Sequence, residues 1–180
     1  MQMAKVMNYA KEKIGTLFGL LQNEALSVIA IHSFVLGYNN IARNKEGVIA
    51  YPRLQYLFYV LPIVYNMANM NSFLNSTELY TAIMKEPNVI LGLQERANKM
   101  SVQTFDAINI GFSKKIFDID KNDFTIFLLR PFTSKKLPLS MSSFKTFDSV
   151  KKIQDSAYRL GSIFAKRHDK NIQNDLNIRF

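Results

Sequence analysis

A chain of 180 residues with 48% hydrophobic content can close one core of ordinary size without disulfides or metal. Cysteine is absent, which excludes a disulfide framework, a thiolate zinc site and a cysteine nucleophile. The formal net charge of +9 is concentrated: residues 130–170 hold ten Lys/Arg against three Asp, a surplus of seven. Such a positive field attracts polyanions, whether nucleic acid, an anionic membrane or an acidic protein face.

Residues 3–21 set Met3, Val6, Ala10, Ile14, Leu17 and Leu21 at steps of three or four, one face of an amphipathic helix. A docking arm and a core helix both fit that pattern. Charges at Lys5, Lys11, Glu12 and Lys13 interrupt it, so it does not read as a secretory signal, and a cytoplasmic protein is expected. A second helix is predicted over 24–39, apolar nearly all round, with Glu24 favourably placed in its first turn and a breaker at Gly37-Tyr38-Asn39-Asn40. His32 sits on that helix without another His, Cys or carboxylate cluster, which predicts hydrogen-bonded packing and no metal site.

Residues 41–50 read as a polar connection. Residues 51–65, YPRLQYLFYVLPIVY, form the central helix, uncharged from Tyr56 onward and too short for a bilayer, which needs roughly 17–25 apolar residues. Pro52 suits its first turn, and Pro62 is expected to kink it or end its regular hydrogen bonding around residues 58–61. Residues 66–76 read as an Asn-rich loop. Asn75 with Glu78 suggests a capping box for a short helix over 77–85, helical periodicity resumes over 88–99, and Ser101 caps a helix over 102–112. That helix is expected to bury Val102, Phe105, Ile108 and Phe112.

Two strand-like runs around the turn Asp120-Lys121-Asn122-Asp123 predict a hairpin over 115–129. A loop over 131–142 leads to a long helix over 144–168, with Phe144, Phe147, Val150, Ile153, Ala157, Leu160 and Phe164 in one stripe. The expected class is mainly α (α+β): a helical core, a winged-helix-like helix–hairpin unit and a long C-terminal helix. The expected organisation is an N-terminal amphipathic helix (1–22), one domain (23–170) and a tail (171–180) that frays or docks on a partner.

Chemistry is sparse. There is no glycine-rich phosphate loop, and Gly111-Phe112-Ser113 and Gly161-Ser162 lack the nucleophile-elbow pattern. Asp118, Asp120 and Asp123, with Lys121, form one carboxylate cluster. A nuclease-type metal site needs convergent carboxylates, but Asp and Asn favour turns on backbone grounds alone. The reading is a protein with no catalytic residues, no metal and no cofactor; a small metal-dependent enzyme on that cluster is the minor alternative. As a DNA-recognition helix, 102–112 offers Gln103, Asn109 and Asp106 but no basic residue, which disfavours base readout. The cations Arg130, Lys135, Lys136, Lys145, Lys151, Lys152, Arg159, Lys166 and Arg167 are assigned to an acidic protein partner or a nucleic-acid backbone.

From Asn23 to about Lys170 the chain resembles the middle component of bacterial three-component ABC-ATPase conflict systems, the group that includes Lamassu-type defence. The resemblance rests on Gly37-Tyr38, Leu61-Pro62-Ile63-Val64, Ser76-Thr77, Pro87-Asn88, Arg96-Ala97, the segment 104–129, and Leu160-Gly161 with Phe164-Ala165, in that order. The first 22 residues and the basic loop 133–137 lie outside it. The resemblance implies a non-enzymatic adaptor between an SMC/Rad50-like coiled-coil ATPase and an effector, often a nuclease, that is released on foreign DNA. Partner contacts are then expected from Val6, Ile14 and Leu17 and from Ile153, Leu160 and Phe164. A free-standing winged-helix DNA-binding regulator is the alternative.

Overall fold

In a computed structural model the described residues are 23–43, 47–139 and 144–179, with side chains of 144–147 left aside. Their elements are helices α1 (Glu24–Ile41), α2 (Leu54–Val64), α3 (Met67–Leu74), α4 (Leu79–Lys85), α5 (Leu93–Lys99) and α6 (Ser101–Ser113), strands β1 (Phe117–Asp120) and β2 (Thr125–Leu128), and helices α7 (Phe144–Phe164) and α8 (Asp169–Leu176). The mainly α class with one antiparallel hairpin is as expected.

Helix α1 starts where Asn23 Oδ1 accepts the Ala25 N–H at 2.9 Å, and it buries an almost continuous run from Leu26 to Gly37. It does not break at Gly37, and the reason is tertiary. A Cβ on Gly37 would sit 2.0 Å from the Tyr158 carbonyl oxygen, and one on Gly161 would sit 2.0 Å from the Phe34 carbonyl oxygen. The two glycines let α1 and α7 cross backbone to backbone, and Ser162 Oγ donates to the Gly37 carbonyl at 3.2 Å. Around that junction Phe164 meets Phe34 and Tyr56 edge-on, each with centroids 5.6 Å apart. This aromatic knot ties α1, α2 and α7 into one core.

Helix α2 is the buried central helix, with Tyr56, Leu57, Val60, Leu61, Ile63 and Val64 almost wholly covered. It begins at Leu54, two residues after Pro52, because residues 52–54 are used as backbone partners of the hairpin. Ile126 N–H donates to the Pro52 carbonyl at 2.9 Å, and the Leu54 N–H donates to the Phe124 carbonyl at 2.8 Å. The helix continues through Pro62 and ends two residues later.

The stretch expected as a loop, 66–76, folds instead as α3. Asn66 caps it by accepting the Asn69 N–H at 3.1 Å, and Met70 and Phe73 supply a buried face against α7. Asn75 is consequently the C-cap of α3, and α4 begins after Glu78 with no side-chain cap. Residues 87–89 make a single 3-10 turn, and Gly92 at φ +60° then permits a sharp re-entry into α5.

Helix α6 buries Thr104, Ala107, Ile108 and Gly111 and half-buries Phe112, so only part of the expected face turns inward: Val102 is 69% exposed and Phe105 50%. Small residues face inward because α6 packs closely on α1 and because the Phe117 ring lies where a Gly111 Cβ would be. The hairpin pairs Phe117 with Leu128 and Ile119 with Ile126, turning Phe117, Ile126 and Leu128 into the core. The last expected helix ends at Phe164, and residues 171–179 are no separate tail. Helix α8 buries Ile172 and Leu176, Ile178 just beyond it is buried as well, and Tyr59 Oη donates to the Arg179 carbonyl at 2.9 Å.

Candidate functional site

The residues singled out for partner contact divide three ways. Val6, Ile14 and Leu17 lie outside the described residues. Ile153, Leu160 and Phe164 are 3%, 0% and 0% exposed, spent on the chain's own core, so they present no surface to a partner. The sequence stripe was real, but α1 covers it.

The cations divide by a different rule. Lys136 Nζ pairs with Asp155 at 2.5 Å and lies over the Tyr158 ring, 4.7 Å from its centroid. Lys166 Nζ donates to the Thr77 carbonyl at 3.1 Å and pairs with Glu78 at 3.4 Å, while Arg167 pairs with Asp175 at 3.3 Å. These three fasten α7 and its C-terminal continuation to neighbouring elements and are poor candidates for an external ligand. Arg130, Lys135, Lys151, Lys152 and Arg159 are exposed and have no ion pair among the described residues. Lys145 belongs to α7 but its side chain is outside the description. Lys152 and Arg159 are two turns apart on one side of α7, about 10 Å along its axis. With Lys151 they give the helix an outer cationic edge opposite its buried stripe, suited to phosphates or carboxylates spaced along an extended surface.

The hairpin carboxylates do not converge. Asp118 Oδ1 accepts the Ile119 N–H, Asp120 Oδ1 the Asn122 N–H, and Asp123 Oδ1 both the Thr125 N–H and its hydroxyl. Each is engaged by its own local backbone, Asp120 and Asp123 in the manner of Asx turns. No cluster of three or more His, Cys, Asp or Glu suited to a metal occurs among the described residues.

His32 is fully buried on α1, its Nε2 donating to the Phe132 carbonyl at 3.0 Å. Burial pushes its imidazole below the ordinary histidine value, with the Phe132 bond opposing. Its Nδ1 is buried without a hydrogen-bond partner. It is a packing group, as its isolation in the sequence suggested. A second local network joins Arg53, Tyr56 and Asp169: Arg53 Nη1 pairs with Asp169 at 2.9 Å, and Tyr56 Oη donates to the same carboxylate. Burial, then that carboxylate, push the Tyr56 phenol upward, so it stays protonated and anchors α8 to α2.

One surface feature escaped the sequence reading. The outer face of α6 carries Val102, Phe105, Asp106 and Asn109, with no cation to meet a phosphate. Gln103, expected as a possible base reader, instead donates to Ser27 Oγ at 3.0 Å. Phe105 packs edge-on to Phe58 of α2, with centroids 4.9 Å apart, beside a groove that runs from Phe124 to Arg179. The available signal was Phe124 itself, an aromatic directly after a four-residue polar turn.

A family model matches residues 11–180: ABC-three component (ABC-3C) system Middle Component 3. The chain belongs to that family. The match takes in helix α8 and the last residues of the chain, and it begins at residue 11, so it is wider at both ends than the resemblance read over 23–170. No curated protein and no solved structure matches the chain. As a middle component the chain is one part of a multi-component system, and its surface therefore has to be read for contacts with other components. No helix among the described residues is long and apolar enough to cross a membrane.

Proposed function

We propose that this middle component is a non-enzymatic cytoplasmic adaptor of a bacterial anti-phage or anti-plasmid defence complex of the Lamassu type. It links an SMC/Rad50-like coiled-coil ATPase to an effector, often a nuclease, and restrains or relays the effector's activation on foreign DNA. Family membership over residues 11–180 carries the reading. Two features of the chain support it. The carboxylates that would serve a metal-dependent reaction are occupied by their own turn. The cations of α7 and the preceding loop form an outward edge that suits an acidic protein face or a DNA backbone as a neighbouring surface, not as a substrate.

Co-expression with the ATPase and effector encoded beside it tests the proposal. The expected result is a stable co-purifying assembly in which effector activity depends on this chain, while the isolated chain turns over neither nucleotide nor DNA. A chain that remains alone in the presence of both partners, or that cleaves DNA unaided and loses that activity on Asp120→Asn, overturns it.

A further inference from the structure

The loop before α7 lies against the outer edge of that helix. Lys136 Nζ pairs with Asp155 at 2.5 Å and lies over the Tyr158 ring, while Nε2 of the buried Gln154 donates to the Leu137 carbonyl at 2.9 Å. These contacts place residues 135–137 beside the stretch of α7 between Lys151 and Arg159. Asp155, the carboxylate inside that stretch, is matched by Lys136. Lys135, Lys151, Lys152 and Arg159 stand exposed around the junction with no ion pair among the described residues. Lys152 and Arg159 are about 10 Å apart along the helix axis, and Lys135 approaches the row from the loop. Asp148, exposed one turn before Lys152, is also unpaired, so free cations outnumber free carboxylates here by four to one.

What this face lacks decides which neighbour it fits. Among the described residues no large apolar side chain of α7 or of the loop 130–139 is exposed; those that are exposed lie between Ile41 and Phe124. Phe132, Leu137, Val150 and Tyr158 pack against the core instead. Met67, on α3, shares a cleft of about 90 Å³ with Lys152, which none of the other three cations lines. A protein interface draws its affinity from buried aromatic or aliphatic anchors, and a membrane surface likewise takes up apolar side chains. A phosphate backbone needs only cations. Single strands are held by exposed aromatic rings, which this face does not present. Gln154, the one carboxamide between residues 130 and 170, is spent on the Leu137 carbonyl and is not free to read a base. Residues 1–22 carry three lysines against one glutamate, so charge opposes their covering the face.

We infer that this face lies on the phosphate backbone of a DNA duplex, holding it without regard to sequence through Lys135, Lys151, Lys152 and Arg159. The inference rests on the adaptor reading and chooses between the two neighbouring surfaces named there. Lys136 serves it indirectly, by cancelling Asp155 and fixing the loop that carries Lys135. Four phosphate contacts on a duplex correspond to a slope of about −3.6 in log K against log salt, roughly a 150-fold loss of affinity between about 50 and 200 mM.

The test is fluorescence anisotropy of a labelled mixed-sequence DNA duplex titrated with the full chain across that salt range. Wild type should follow the slope and bind a duplex of unrelated sequence equally, and phosphatidylserine vesicles should compete poorly. The combined variant Lys135→Gln, Lys151→Gln, Lys152→Gln and Arg159→Gln should bind about tenfold or more weakly at the lowest salt, with its slope near zero. Each single variant should lose about 0.9 of the slope. Lys114→Gln with Lys121→Gln, exposed cations on other elements, is the control and should leave the slope close to that of wild type. Co-expressed with the other components, the combined variant should still join them. No duplex binding by wild type at the lowest salt, an equal loss in the control, or tighter binding to the vesicles overturns the inference. A combined variant that keeps the duplex but leaves the complex assigns the face to an acidic protein and overturns it too. If wild type joins no other component, the adaptor reading fails, whatever the anisotropy shows.

Discussion

Substituting Gly161 with alanine should reverse the usual sign of such a change. In an exposed helix, Gly→Ala stabilises by about 1 kcal/mol. Here the new methyl would lie 2.0 Å from the Phe34 carbonyl oxygen and 2.9 Å from the Tyr38 nitrogen, both backbone atoms that cannot rotate aside. Ordinary contact requires α1 and α7 to part by about 1.4 Å, and a gap of 0.5–1 Å already forfeits roughly a quarter to a half of a van der Waals well. The side chains across the junction include Phe34, Ala157, Leu160 and Phe164, each 0% exposed. Burying a large apolar side chain is worth about 1.5–3 kcal/mol, so loosening three of these and straining the rest costs about 3–4 kcal/mol. After the helix-propensity gain, a net loss of about 2–3 kcal/mol remains. Urea unfolding followed by far-ultraviolet circular dichroism reads this as a midpoint lower by about 1 M, taking a slope of about 2 kcal/mol/M. Gly37→Ala should behave alike, and the double variant should lose less than the sum, because one separation of the helices relieves both clashes. Asn109→Ala on the exposed face of α6 is the control and should be neutral or slightly stabilising. Stability of Gly161→Ala at or above wild type would refute the backbone-to-backbone crossing.

Other expectations follow from single observations. The native His32 imidazole titrates below its unfolded value of 6.5, so the unfolded chain binds the proton first and stability should fall as pH drops below about 7, by at most about 1.4 kcal/mol per pH unit; His32→Gln should flatten that contribution in unfolding curves between pH 7 and 5. Asn66→Ala removes the cap of α3 and should cost about 1 kcal/mol, whereas Asn66→Ser should restore most of it. Reversing Lys151, Lys152 and Arg159 to glutamate should leave the unfolding free energy within about 0.5 kcal/mol of wild type. The same variant should weaken retention on heparin and shift it to lower salt; unchanged retention would remove α7 as a polyanion surface. Tyr56→Phe should destabilise by about 1–2 kcal/mol, since it leaves the Asp169 carboxylate short of one donor, and hydrogen exchange in α8 should rise while that in α1 stays protected.

Several elements were plain from residue order because the signal was local. The uncharged run at 56–65 had to be buried, the apolar steps over 150–164 had to be a helix, and two β-rich runs around Asp120-Lys121-Asn122-Asp123 had to be a hairpin. The carboxylates of that turn also behaved as their residue types suggest. Helix α3 was missed because its Asn and Ser content outweighed two correctly spaced apolar residues, Met70 and Phe73, whose worth appears only against α7. The face of α6 was half right for the converse reason. Ile108 and Phe112 turn toward the core as expected, but Val102 and Phe105 stay exposed, because small residues Thr104, Ala107 and Gly111 fill the space beside α1 and Phe117. Ile153, Leu160 and Phe164 were correctly seen as needing cover; what sequence could not say was whether that cover came from this chain or another.

By itself the sequence determined what kind of protein this is: a mostly helical chain, strongly basic toward its C-terminal third, in the order of segments that marks a middle component. Composition and periodicity suffice for the helical class and the basic surplus, because they are properties of each segment alone; the family rests on the resemblance of motifs in their order. Which apolar stripe is spent internally, which cations remain outside, and where Phe58, Phe105 and Phe124 come together were decided only by the tertiary structure. Those outcomes depend on how closely two backbones can approach at Gly37 and Gly161, and on residues far apart in the chain competing for the same space.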